Sequence, residues 1–593
     1  MELKNRSEMD PKYMWDLSPI YPNEQAWEEA LQCATEKVKG LSEIPGTLST
    51  SLESFKKGLD AIYDATELIE RVANYAFLKK AGDNGDTHNQ EMEARCIAMI
   101  TAFQSAIAFL NPEILGMDAD KLESFLQDDS VKTYRHMIED IRRMRVHTLD
   151  AQGERMLAML SDAAGTPKNV FDMFESVDMT FPNVIDENGN EAPLSHGTFS
   201  VYRESKSAAV RKDAFEKYFG AFKQYINTLT ATYSGSVKFD CYNASVRGYS
   251  SACEAALDGN NVPVSLYDNL VSSIETGLGT MRRYLALRKK ALKLDELHLY
   301  DLYVPMIDEV DFDMPYERAQ ELVLEATKPM GEEYGRLLRR AFSERWIDVY
   351  ENKGKTTGAF SAGVFGVHPY VLLNYTNKLD DAFTLAHELG HSMHSYHSDT
   401  TQDIVNHDYR IFVAEVASTV NEVLLTKYLL SVETEPKRRA YILNHFLEGF
   451  RTTVFRQTLF AEFERKAHDM YQAGEPLTAE ALNKVYHDLN AKYYQGAVID
   501  PITDIEWARI PHFYRAFYVY QYSTGFCSAV TIADKLFRGE GVEDYLRFLS
   551  TGGSDYPLNE LKIAGVDLLK PEAIENAMRV FAETVDELEK LIH

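Results

Sequence analysis

His387, Glu388 and His391 stand in the order His-Glu-x-x-His within the run NKLDDAFTLAHELGHSMHSYH, which begins at Asn377. On a helix, side chains four apart are offset by about 40° around the axis and about 6 Å along it, so both imidazoles can reach one cation. Glu388 turns about 100° from His387 and can face a water there without itself ligating. Two neutral nitrogen donors, an open coordination position and a carboxylate base are what metal-assisted hydrolysis needs. With 16 histidines in 593 residues, this pattern arises by accident in roughly 3% of such chains, so its surroundings must support it.

A catalytic zinc needs a third protein ligand. The next strong helical segment, roughly 408 to 430, holds Glu415 among Ile411, Phe412, Val413, Ala414, Val416 and Ala417. A carboxylate so flanked is costly to bury unless a cation pairs with it, which makes Glu415 the expected third ligand. Glu422 lies two turns on, with Ser418 between them, and either can orient a ligand imidazole; an interhelical hydrogen bond unrelated to metal is the other reading of Glu422. His394 and His397 are expected to serve local hydrogen bonds, because two histidines, Glu415 and a water already make four ligands. His368 either contacts substrate or caps a loop.

The elements that must hold these groups are helical. Apolar residues recur at helical spacing in Leu52, Phe55, Leu59, Ile62 and Tyr63, and similar patterns predict helices over 24–39, 85–111, 130–161, 207–234, 264–293, 316–343, 437–473 and 478–495. The HExxH helix has Asn377, Asp380 or Asp381 as its expected N-cap. Gly390 inside it costs about 1 kcal/mol, which is explicable if a strand or another backbone approaches closely there. Two stretches interrupt the helices. The turn-rich segment 179–201 predicts a hairpin between short strands. Residues 346–375 predict a short apolar strand, a glycine-punctuated loop and a strand whose Pro369 fits only a strand start or an edge.

Composition narrows the class. A formal charge of −29 argues against a nucleic-acid partner, which demands a concentrated positive surface. Hydrophobic residues make up 45% and charged residues 26%, as in a globular protein. No signal-peptide core is visible in the first thirty residues, and no window approaches 18 consecutive apolar residues, so neither export nor a membrane span is expected. The five cysteines form no CxxC pair and are expected to be reduced, buried thiols of a cytoplasmic protein.

The runs HPYVLLNYTNKLDDAFTLAHELGHSMHS, FVAEVASTVNE and IPHFYRAFYVYQYSTG together resemble oligoendopeptidase F, of the wider thimet oligopeptidase-like family of zinc metallopeptidases. The resemblance covers roughly 200 to 590. Matched by position, it implies one zinc per chain on His387, His391 and Glu415, with Glu388 as general base. It implies a mainly α, clam-like body with a deep substrate channel and a small β-sheet beside the HExxH helix. A short peptide would lie extended against a strand edge, here 366–375, with Gly366, His368 and Tyr370 as candidate contacts. A histidine and tyrosines from the third run would hydrogen-bond the scissile carbonyl as it becomes an oxyanion; His512, Tyr514 and Tyr518 are the candidates, although the glycine-rich stretch of the thimet pattern is absent. Pro511 can begin a helix, on which Tyr514, Tyr518 and Tyr522 would share one side.

The expected organisation is thus an N-terminal helical region over 1–195, forming part of the channel wall, and a catalytic zinc peptidase region over 196–593. The expected activity is hydrolysis of internal bonds in short, unstructured peptides. A zinc carboxypeptidase or amidase on the same fold, or a non-catalytic peptide-binding helical protein, are the alternatives. Oligomeric state leaves no mark in the sequence.

Overall fold

The structure is a computed structural model, and it describes residues 3–307, 310 and 312–592. Helices take 70% of the chain and strands 2%, so the mainly α expectation holds. The chain forms two compact units: Met1–Arg145, Asp311–Tyr428 and Ile532–Val566 make the first, and Val146–Val310, Leu429–Thr531 and Asp567–His593 the second. Each unit draws on distant parts of the chain, and residue 195 bounds neither.

In the first unit, helices Glu24–Gly40, Leu52–Gly82 and Thr87–Ile107 pack around a core of Trp27, Phe55, Leu59, Ile62, Val72 and Met92. Among the described residues, Thr87–Gly116 is long and apolar enough to cross a membrane by length and composition; Met92, Cys96, Met99 and Phe103 on it are buried in that core. Of the five free cysteines, Cys33 is exposed, contrary to expectation, and the other four are buried.

The sheet beside the HExxH helix has three strands: β3 (Ile347–Asp348), β4 (Phe360–Ala362) and β5 (Tyr370–Leu372), which follow the hairpin pair β1 (Val184–Ile185) and β2 (Glu191–Ala192) of the second unit. Their order is β3-β5-β4, with Ile347 opposite Val371 in parallel and Ser361 opposite Val371 antiparallel. Pro369 directly precedes β5, where its missing N–H breaks no ladder bond. The sheet is tied down by a buried ion cluster. Asp348, 1% exposed, accepts from Arg6 Nη1 at 2.9 Å and pairs with Lys355 Nζ at 2.8 Å.

This order corrects one expectation. A peptide cannot add alongside Tyr370–Leu372, because β5 is the central strand with partners on both sides; among the described residues the edge strands are β3 and β4. β4 lies within what the glycines at 354, 358, 363 and 366 suggest is loop. Of the expected substrate contacts, Tyr370 opens β5 and His368 lies just before it, and both are buried. His368 is 7% exposed and stacks on Trp346 at 4.5 Å, and Tyr370 is fully buried with its hydroxyl on the Asp16 carbonyl. Gly366 is an exposed turn residue at φ +74°.

The HExxH sequence forms the helix Leu379–Thr401, which buries Leu379, Ala382, Phe383, Leu385, Ala386, Leu389 and Met393. Lys378, rather than the expected Asn377, Asp380 or Asp381, is the N-cap. Asn377 instead turns the chain at φ +66°, and the Asp381 carboxylate accepts from the Lys378 N–H at 2.8 Å and the Thr376 N–H at 2.9 Å. Helix Ile411–Val432 follows. The connector between the two is clamped: His407 bridges Asp399 at 2.9 Å and Glu70 at 3.1 Å, and the Gly553 N–H donates to the Asn406 carbonyl at 2.8 Å. The helix Val542–Leu549 packs against the HExxH helix, with Phe548 5.3 Å from the ring of His394.

The second unit centres on helices Ala208–Gln224, Ile226–Val246, Pro436–Gly449 and Arg456–Gln472. A wide π-type turn, Phe450–Phe455, joins the last two, so the single helix expected over 437–473 carries a bulge. The helix expected over 130–161 is also broken, because Asp150 caps a new start at Ala151.

Candidate metal centre

The two helices of the first unit bring three donor atoms together. His387 Nε2 lies 3.2 Å from His391 Nε2, and Glu415 Oε2 lies 3.4 Å from the first and 3.5 Å from the second. A tetrahedral cation bound at about 2.0–2.1 Å requires its ligand atoms to stand about 3.3–3.4 Å apart, so this nearly equilateral triangle fits one without rearrangement. The charge agrees with the geometry. Glu415, Glu422 and Glu388 surround two imidazoles, an excess of negative charge that a divalent cation offsets.

Close approach of the helices makes the triangle possible, and Gly390 permits it. A Cβ there would sit 2.5 Å from both the Ala417 carbonyl oxygen and the Ser418 Cα. The second backbone that the glycine suggests is therefore the Glu415 helix. Asn421, fully buried, locks the pair: its amide donates to the Ala386 carbonyl at 3.1 Å and its oxygen accepts from Tyr334 at 3.0 Å. Asn421 is absent from the sequence-derived candidates, although one amide in so apolar a run is a signal.

Glu422 Oε1 stands 2.5 Å from His387 Nδ1, which leaves Nε2 facing the triangle. Ser418 acts elsewhere than expected: its hydroxyl is shared between the Glu415 carbonyl at 3.0 Å and Glu415 Oε2 at 3.2 Å, and not given to an imidazole. Burial lowers the proton affinity of His387, but Glu415 and Glu422 outweigh it and raise the group to about 10. Hydrogen bonds from His387 and His391 hold the Glu415 carboxyl far below its ordinary range. Glu388, 6% exposed, is pushed upward by burial and pulled back by the two imidazoles. Such a carboxyl is primed to accept a proton.

His394 departs from expectation. It is fully buried, stacks on Tyr409 at 3.7 Å, and neither ring nitrogen has a hydrogen-bond partner among the described residues. Burial pushes it down to about 3, so it is a neutral packing residue.

His512, Tyr514 and Tyr518 belong to the second unit. Pro511 starts only a short 3₁₀ turn, Pro511–Tyr514, and the helix begins at Tyr520; Phe517 at φ +53° breaks the path, so Tyr514, Tyr518 and Tyr522 do not share one helix. Tyr514 shares a 2.8 Å hydrogen bond with Thr232 and stacks on Phe171 at 4.6 Å. Burial lowers His512, and Tyr518 carries the Arg515 guanidinium 4.0 Å above its ring.

The profile of Peptidase family M3 matches residues 201–580, and that of Oligopeptidase F matches 113–181. The oligopeptidase PepF of Bacillus subtilis (strain 168) is 44% identical, covering 100% of this chain and 89% of its own length. A crystal structure of oligoendopeptidase-F from Enterococcus faecium superposes with a TM-score of 0.73 at 37% identity, covering 96% of this chain and 99% of that one. A peptidase structure from Chlamydophila abortus reaches a TM-score of 0.95 at 32% identity, covering 100% of both chains. With family profiles, full-length relatives and fold in agreement, the chain belongs to peptidase family M3, among the oligopeptidase F enzymes.

Proposed function

We propose that the protein is a zinc-dependent endopeptidase, with one zinc per chain, that cuts internal bonds of short, unstructured peptides. The single observation that carries the reading is the triangle of His387 Nε2, His391 Nε2 and Glu415 Oε2, whose sides of 3.2–3.5 Å suit tetrahedral zinc. Zinc bound there supplies a Lewis acid for a carbonyl oxygen and makes a water more acidic. Glu388 takes the proton from the attacking water and passes it to the departing amine. His387 is kept in one tautomer by Glu422, and Glu415 in one orientation by Ser418. A peptide in extended form finds unpaired backbone groups along β4, whose Ser361 hydroxyl touches Ser392 of the HExxH helix at 2.9 Å. His512, Tyr514 and Tyr518 enter this reading as oxyanion donors, on the strength of the family resemblance.

The test is cleavage of a quenched fluorescent peptide by wild type and Glu388→Gln, with products identified by mass spectrometry. The reading expects internal cuts and a loss of several orders of magnitude in the variant. Equal rates would remove Glu388 as base, and stepwise loss from the C-terminus would make the enzyme a carboxypeptidase.

A further inference from the structure

The second unit holds a concentration of positive charge, part of it fully buried. Arg288, Arg451, Arg456 and Arg509 share two carboxylates. Glu448 accepts from Arg451 Nη2 at 2.6 Å and Arg288 Nη1 at 3.2 Å; Glu506 accepts from Arg456 Nη2 at 2.6 Å, Arg509 Nη2 at 3.1 Å and the Tyr486 hydroxyl at 2.7 Å. A fifth arginine, Arg203, joins them through Tyr303. Two guanidinium groups lie within cation–π reach of the Tyr303 ring centroid, Arg203 at 3.9 Å and Arg451 at 4.6 Å. The segment carrying Tyr303 is pinned, since Arg288 donates to the carbonyls of Asp301 at 3.2 Å and Val304 at 2.6 Å.

Among the described residues, five guanidinium groups, of which Arg288 and Arg451 are fully buried, share two carboxylates, and burying such an excess of positive charge is costly unless an anion offsets it. Several donors are also idle. Arg451 is 1% exposed and Tyr494 2% exposed, yet among the described residues Arg451 Nη1 and the Tyr494 hydroxyl have no hydrogen-bond partner; nor do Arg203 Nε and Arg509 Nε. The Tyr303 phenol does not fill the need, because among the described residues its oxygen accepts from none of these donors. Burial would raise that phenol, but Arg456 and Arg451, then Arg203, pull it below its ordinary value, as a strongly positive surrounding must.

We propose that this cluster is a binding site for a small oxyanion, held by Arg451, Arg203 and Tyr494 beside Tyr303. Planar guanidinium groups match oxygen pairs on phosphate and carboxylate alike, so the ligand is either free inorganic phosphate or a carboxylate. The site is separate in its residues from the metal ligands.

Isothermal titration of the full chain tests this, with inorganic phosphate in one arm and glutarate in the other. At least one of them is expected to bind wild type. Its affinity should fall at least tenfold in Arg203→Met and weaken in Tyr494→Phe, a substitution that keeps the ring and removes the donor. It should be unchanged in His387→Ala. Binding in the phosphate arm alone identifies a free oxyanion; binding in the glutarate arm alone identifies a carboxylate. Binding of neither, equal binding by wild type and Arg203→Met, or loss only in His387→Ala overturns the proposal. So does a phenolate band near 295 nm at pH 7 that disappears in Tyr303→Phe, because the tyrosine would then be the anion.

Discussion

Glu422 Oε1 lies 2.5 Å from His387 Nδ1 and holds that imidazole with Nε2 toward His391 and Glu415. Because such a carboxylate fixes the tautomer and increases the basicity of the ligand, its loss weakens metal binding without removing a ligand. Glu422→Gln is expected to lower zinc affinity about 10- to 100-fold, measured by competition with a chromogenic chelator. Wild-type affinity in that variant would deny the orienting role.

Gly390→Ala tests the helix contact. The added methyl would meet the Ala417 oxygen and Ser418 Cα at 2.5 Å, both backbone atoms that cannot rotate away. The expected cost is about 1–3 kcal/mol of stability together with reduced zinc content, because the Glu415 helix must retreat. Gly40→Ala, where nothing lies within 4 Å, is the comparison and should be neutral. Melting temperature and metal analysis on both variants decide it.

Asp348 sits 1% exposed between Arg6 and a fully buried Lys355 side chain. Asp348→Asn strands a buried ammonium and should cost about 3–5 kcal/mol in urea unfolding. Asp348→Asn combined with Lys355→Met should recover part of that loss. A double variant no better than the single one would show that packing, and not charge, dominates.

Glu560 is fully buried, and burial raises its carboxyl to about 8. The folded chain then holds this proton more tightly than the unfolded chain, whose carboxyl titrates near 4.5. The contribution is complete below pH 4.5 and declines as pH rises, until it is gone above pH 8, with a span of up to about 5 kcal/mol. Unfolding free energies at pH 5 and pH 8 should therefore converge in Glu560→Gln relative to wild type. An unchanged difference would place the carboxyl near its ordinary value.

The parts of the centre that depend on local periodicity could be read before any coordinates. His387, Glu388 and His391 share a helix side by arithmetic alone, and Glu415 stands out as a charge among apolar neighbours. Gly390 also betrayed a close backbone, although not which one. What escaped depends on partners distant in the chain. The central place of β5 is set by pairing with both β3 and β4, and three residues between glycines, Phe360–Ala362, carry too little alternation to mark a strand. His394 looks polar in sequence, yet Tyr409 and Phe548 turn it into packing. The tyrosines after Pro511 suggested a regular helix because spacing says nothing about the left-handed turn at Phe517.

The clamp on the metal helices has an order in time. Both histidines and Glu415 leave the ribosome well before Phe548 and Gly553, the residues that brace the HExxH helix and its connector. A nascent chain halted before those residues carries every ligand but lacks the frame that keeps them in register. Competence to cut other chains therefore arrives late in synthesis, after most of the protein has already emerged.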